Sequence, residues 1–218
     1  MGSDTFSKTA LYAGRTDLPP LVTQAVALAN RLGFISSCTP EQGELLRVLA
    51  RGRAGGVIGE TGTGCGAGLA WMASAVGPDT RLVSVEIDAA RAAACQALFA
   101  ALPNVRVLHG DWRMIAGYGP FDLLVLDGGG GGKRADDVPA DPAGLLKPGG
   151  TLVLDDLLPP LEHWPEEAAP RDADGRSITV ARAHWLQHAD LFATEIRVQP
   201  RVSTILATRK APGARQHR

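Results

Sequence analysis

Carboxylates recur along this chain just after short apolar runs. Asp127 closes Phe121–Leu126, and the pair Asp155 and Asp156 closes Thr151–Leu154, with Asp155 28 residues beyond Asp127. Glu86 closes Arg81–Val85, Glu60 follows Gly55–Gly59, and Asp111 follows Val105–Leu108 after His109 and Gly110. If these runs are parallel strands, the acids gather at one edge of a sheet. Asp127, Asp155 and Asp156 would then converge. Three converging carboxylates repel one another unless they are protonated or share a cation. Oxygen-only donors suit Mg²⁺ or Ca²⁺.

The second chemical feature is the turn Gly59-Glu60-Thr61-Gly62-Thr63-Gly64-Cys65-Gly66. Glycines there let the backbone bend sharply and approach a ligand closely. A following helix would offer free N–H groups and a partial positive charge. Alone, such a turn is also a plain strand–helix connection. The acids make it more specific. Glu86 is placed to accept hydrogen bonds from two ribose hydroxyls, with Ile87 beside it. A dinucleotide fold shares that acid, but its fingerprint is GxGxxG, whereas this chain reads Gly62-x-Gly64-x-Gly66-x-Gly68. A pyrophosphate would also be repelled by Glu60. Asp111 and Trp112, following the third strand, fit a nucleobase contact or, equally, a solvated turn acid beside a core tryptophan.

The elements that must position these groups alternate. Helices are expected at Leu21–Gly33 and at Pro40–Arg51, the latter with Thr39 as N-cap and Pro40 in its first position. Strand Gly55–Gly59 leads to helix Gly68–Val76, strand Arg81–Val85 to helix Ala89–Ala101, and strand Val105–Leu108 to a short helix or turn at Trp112–Ala116. Strand Phe121–Leu126 precedes a helix at Asp136–Leu146, with Pro139 and Pro142 as its weak points, and then strand Thr151–Leu154. This pattern predicts an α/β Rossmann-like, doubly wound, mostly parallel seven-stranded sheet with helices on both faces, preceded by N-terminal helices. Leu157–Arg176 reads as a long loop, either a lid carrying His163 and Trp164 or a surface loop. Helix Ser177–Ala189 follows. Strands Phe192–Val198 and Val202–Ala207 flank Gln199-Pro200-Arg201, a hairpin signal that makes the last strand antiparallel. One domain over residues 1–218 is expected, with an arm at 1–20 and a disordered tail at 209–218.

The bulk composition narrows the classes. Of 218 residues, 45% are apolar and 21% charged, and 22 basic against 23 acidic side chains leave a formal charge of −1, which argues against nucleic acid as partner. No apolar run reaches bilayer length, so no membrane span is expected. Cys38, Cys65 and Cys95 are scattered and odd in number, which fits a reducing cytoplasm. His109 reads as structural, and His184 and His188 as solvated or packing residues.

Gly62, Gly64 and Gly66 preceded by Glu60 resemble motif I of class I S-adenosylmethionine (SAM) dependent methyltransferases. That resemblance implies that Glu60 helps hold the cationic methionine end of SAM, with Gly62, Thr63, Gly64, Gly66, Glu86, Ile87, Asp111, Trp112 and Asp127 around the rest. Asp127 and the pair Asp155-Asp156 resemble the metal-ligand pattern of catechol and caffeoyl-CoA O-methyltransferases, and Thr39-Pro40-Glu41-Gln42-Gly43 resembles that family's helix near SAM. The resemblance covers Gly33 to Asp156. It implies a divalent metal on Asp127, Asp155 and Asp156, a small hydroxylated substrate such as a catechol, and a homodimer. Such a metal would lower the pKa of a substrate hydroxyl that then attacks the methyl carbon. Two positions depart from the pattern. Asp156 stands where Asn is usual, and Gly130 takes the place of a lysine proposed as general base. Lys133, three residues on, either swings in on the run Gly128–Gly132 or stays a solvated loop residue, the preferred reading. The metal is thus left open. A metal-independent methyltransferase acting on another small molecule or on an RNA hydroxyl, and a non-catalytic SAM-binding protein, are the alternatives.

Overall fold

The computed structural model describes residues 7–133, 137–157 and 179–211. Strands β1 (Val57–Thr61), β2 (Arg81–Glu86), β3 (Val105–His109), β4 (Phe121–Leu126), β5 (Leu146–Leu157), β6 (Leu191–Gln199) and β7 (Val202–Arg209) form one sheet in the order β3-β2-β1-β4-β5-β7-β6. β1 to β5 pair in parallel, while β7 is antiparallel to both its neighbours, β5 and β6. The tight turn after β6 forces that reversal. The expected Rossmann-like arrangement is therefore the one observed.

β4 alternates its side chains between two cores. Leu123 and Val125 face α1 (Pro20–Arg31), α2 (Pro40–Arg51) and α3 (Ala67–Ala73). Phe121, Leu124 and Leu126 face the opposite core, with Ile115, Leu145 and Trp185. Burial on both faces explains why the strand is a continuous apolar run. Each fully buried leucine contributes roughly 1.5–3 kcal/mol. The helix starts follow local chemistry. Thr39 Oγ1 accepts from Gln42 N at 3.2 Å with Pro40 leading α2, and Asp88 Oδ1 accepts from Arg91 N at 2.8 Å to open α4 (Ala89–Leu98).

Several bounds differ from expectation. β1 runs two residues later than the apolar run suggests, so Glu60 lies inside the strand. The helix expected at Asp136–Leu146 is only α5 (Pro142–Leu145), capped by Asp141, because proline lacks the N–H that an upstream turn would need. Asp136 and most of the loop Leu157–Arg176, including His163 and Trp164, lie outside the described residues. Helix α6 spans Thr179–Leu186. Arg209 ends β7 instead of opening a tail, and Lys210 N donates to Asp190 O at 2.8 Å.

β1 is flanked by β2 on one side and β4 on the other, so the strand order reverses there and a crevice opens at the strands' C-terminal ends. Two loops meet at its floor. Gly62 has φ +84°, and a Cβ on it would lie 2.5 Å from Gly128 N. Only paired glycines let the turn after β1 and the turn after β4 touch backbone to backbone. Gly128 N also donates to Thr61 O at 2.7 Å, and this contact sets Asp127 beside the glycine turn.

Candidate active site

A cleft of about 450 Å³ runs along this edge. Ile87, Gly110, Asp111, Trp112 and Arg113 line one end, Glu86 and Arg91 the middle, and Gly62, Gly64, Asp127, Gly128 and Asp156 the other end. Ile87 is 71% exposed, an apolar side chain held open to solvent beside Trp112. A flat heterocycle would cover both. Asp111 spends its carboxylate on Arg113, accepting from the backbone N at 2.9 Å and from Nη1 at 3.1 Å.

Glu86 is nearly buried at the end of β2. It accepts from Gly64 N at 2.7 Å, Asp88 N at 2.9 Å and Arg91 Nη2 at 2.8 Å. These bonds aim the carboxylate and tie it to the glycine turn. Arg91, whose guanidinium also lies over the Phe34 ring, had no signal in the sequence beyond its place on α4.

Glu60 lies deeper. It lines a second, smaller cavity of about 30 Å³ with Thr63, Ser37, Cys38 and Asp127. Its Oε2 accepts from Ser84 Oγ at 2.5 Å, and that hydroxyl is 2.6 Å from Thr63 Oγ1. Burial pushes the Glu60 carboxyl up to about 8, against the opposing pull of the Ser84 bond. Thr63 therefore orients the buried acid and does not line the larger cleft. Gly66 lines neither cavity. It caps α3 with φ +87° and packs against Phe99.

The three aspartates meet as the spacing predicts, with one oxygen from each within 4.8 Å of the others. Asp155 is buried and its Oδ1 accepts from Asp156 N at 2.7 Å. Asp156 has φ +61°, the left-handed region in which Asp and Asn are the usual non-glycine residues. Burial, then the Asp156 charge, push Asp127 up to about 6, while Lys133 and Lys8 restrain it. Burial and both neighbouring acids drive Asp155 well above the usual carboxylate range.

Two lysines enter this cluster. Lys133 is not a solvated loop residue. Its Nζ donates to Asp127 O at 2.6 Å and Asp155 O at 2.9 Å, and stands 3.7 Å from Asp127 Oδ1. Gly130 explains the detour. It has φ +85°, and a Cβ there would lie 3.0 Å from the Trp112 ring, so no side chain is readily accommodated at that position. Asp137 shapes the loop, accepting from Gly130 N at 2.6 Å and Gly132 N at 2.7 Å. The second lysine, Lys8, comes from the N-terminal arm and bonds Asp156 Oδ2 directly. Burial works against its ammonium, but Asp156 and Asp127 outweigh burial and raise its pKa. At 148 residues' separation, nothing in the sequence pointed to this pair.

The three carboxylates have the reach for a divalent cation, yet two of them already face ammonium groups, Asp156 bonded to Lys8 and Asp127 paired with Lys133. Three carboxylates against two lysines leave at most one negative charge. As arranged, the residues do not fit a divalent metal unless Lys8 leaves Asp156.

Residues 60–157 match the family model described as a methyltransferase domain. No curated protein matches the sequence. Several solved structures share the fold. The O-methyltransferase TomG from Streptomyces achromogenes, solved with SAM, is 20% identical at a TM-score of 0.69, covering 94% of this chain and 96% of its own. An O-methyltransferase from Bacillus cereus, solved with SAH, is 17% identical at 0.71, covering 93% and 96%. A methyltransferase from Geobacter sulfurreducens is 20% identical at 0.64, covering 92% and 93%. The matched segment begins at Glu60, ahead of the glycine turn, and ends one residue after the aspartate pair. Residues 60–157 thus match a methyltransferase domain, set in a fold shared with solved O-methyltransferases, and this is consistent with the resemblance to class I SAM-dependent catechol and caffeoyl-CoA O-methyltransferases.

Proposed function

We infer that the protein transfers the SAM methyl group to a hydroxyl of a small molecule. The observation that carries this reading is the continuity of one cleft from the Ile87–Trp112 end, past Glu86 and the glycine turn, to Asp127 and Asp156. Adenine fits the first end and the ribose hydroxyls fit Glu86. The ammonium of the methionine portion fits Glu60, which is buried and has no cationic partner among the described residues. The methyl group then points toward the acid cluster. The cleft's modest volume, shared with the cofactor, and the formal charge of −1 favour a small substrate over RNA.

In this reading Asp127 accepts the substrate's hydroxyl proton. A carboxyl held near 6 is mostly ionised at neutral pH, yet is a stronger base than an ordinary aspartate. As the O–H proton passes to Asp127, the oxygen attacks the methyl carbon. The C–S bond breaks, its electron pair returns to sulfur, and the sulfonium becomes the neutral thioether of S-adenosylhomocysteine. Positioning and charge supply the rate. Lys133, bonded to the carbonyls of Asp127 and Asp155, holds the two strand ends together and is a positioning residue. A catecholic substrate is the first to test, because the aspartate pattern resembles that of catechol methyltransferases.

The test has two parts. Calorimetry should show binding of S-adenosylhomocysteine and none of NADH. Methyl transfer from labelled SAM should then be detected with at least one member of a panel of catechols and related phenols. Dinucleotide binding at the glycine turn without SAM binding refutes the reading.

A further inference from the structure

We propose that Lys8 is a built-in cation of the active site, carried into the aspartate cluster by the N-terminal arm, where it takes the place of a divalent metal. The proposal rests on the reading of the cluster as the methyl-acceptor end of the cleft.

Three observations support it. The first is contact. Lys8 Nζ bonds Asp156 Oδ2, on one of the three carboxylates that a shared metal would need, and the lysine side chain is only 13% exposed. The second is charge. With Lys133 beside Asp127, the cluster is close to balanced, and a divalent cation would turn it net positive. Like charges so close, in a poorly solvated site, repel strongly. The third is that the arm is docked, so the ammonium is held and does not merely dangle. Thr9 N donates to Ile35 O at 3.2 Å, and Thr9 Oγ1 donates to Phe34 O at 2.7 Å. Tyr12 OH donates to Cys38 O at 3.0 Å and accepts from Trp71 Nε1 at 3.0 Å. The segment it grips carries Phe34 and Ser36 of the larger cleft and Ser37 and Cys38 of the smaller cavity.

The consequence is a site that stabilises a developing substrate oxyanion with an ammonium instead of a metal. An ammonium is a point charge with three donors and offers no open coordination positions. A substrate therefore needs only one well-placed hydroxyl, and a second vicinal oxygen is not required for chelation. The arm thereby becomes part of the active site, and its docking orders the cofactor cleft as well.

Manganese binding to the 218-residue chain tests the idea without knowledge of the substrate. Water-proton relaxation with Mn²⁺ should show no saturable site in the wild type up to about 1 mM, within the weak range for protein metal sites. Lys8→Ala and the larger Lys8→Gln should each acquire one site, tighter by at least about tenfold, since both remove a positive charge next to the ion. Adding Asp155→Asn should abolish that site. Two variants guard against a folding defect in one of them, and circular dichroism reports folding directly. A wild type that binds one Mn²⁺ at micromolar concentration overturns the proposal. So does a folded Lys8 variant that gains no site. S-adenosylhomocysteine calorimetry on the same samples reports separately on the methyltransferase reading.

Discussion

Glu60 should make cofactor binding depend on pH, with a predictable sign. Its carboxyl is held at about 8 in the free protein because it is buried with a single hydroxyl donor. At pH 7 about nine-tenths of the molecules therefore carry a proton there. An ammonium from the amino acid end of SAM favours the ionised form, so binding should expel that proton. The expected release is about 0.9 proton per ligand at pH 7. Affinity should rise nearly tenfold per pH unit well below 8 and more slowly near it, so the Glu60 titration alone gives about a 25-fold gain between pH 6 and 7.5. The ligand's α-amino group, with an ordinary pKa of about 7.7–8.0, is partly neutral by pH 7.5, which trims the gain to about 15- to 20-fold. Calorimetry of S-adenosylhomocysteine in buffers of different ionisation enthalpy counts the protons. Glu60→Gln removes this titration while preserving the shape, and so separates it from that of Asp127. The same shift bears on stability. A folded-state value above the ordinary 4.5 means that the folded state holds the proton more tightly. Stability is thus greatest below about 4.5 and falls as pH rises through 8, by at most roughly 5 kcal/mol. Glu60→Gln should stabilise the free protein above pH 8 relative to the wild type. Equal proton release by wild type and Glu60→Gln, or a wild-type affinity flat between pH 6 and 7.5, refutes the assignment of the ammonium to Glu60.

Other substitutions probe the supporting structure. Gly130→Ala should cost about 1–3 kcal/mol in urea unfolding, because φ +85° and the 3.0 Å approach to Trp112 both oppose a Cβ. Asp156→Asn should keep the left-handed backbone and stay within about 1 kcal/mol of wild type, whereas Asp156→Val should lose a further 1 kcal/mol or so at φ +61°. Equal stabilities for the two variants would count against strain at that position. Trp185→Phe removes the 2.8 Å bond from Nε1 to Gly131 O and should cost about 1–3 kcal/mol, since a buried carbonyl loses its donor. An unchanged melting curve would show that the carbonyl finds another partner.

The sequence by itself determined the strand order of chemistry. Apolar runs of strand length, each ending in an acid, required Glu86, Asp127 and Asp155 to share a sheet edge, because parallel strands all end at the same side. Thr39-Pro40 and Asp88 marked helix starts through local hydrogen bonds, and the proline turn after β6 announced the reversed last strand. All of these depend on neighbours a few residues away. Only the tertiary structure decided what neutralises the acids. Lys8 reaches Asp156 across 148 residues, and Lys133 turns inward because Trp112 occupies the space that a side chain at Gly130 would need. Burial, too, is a property of the packed molecule. Glu60 reads as an anionic partner for a cation, yet its surroundings keep it protonated near neutral pH, since desolvation penalises a charge wherever no counter-ion stands beside it.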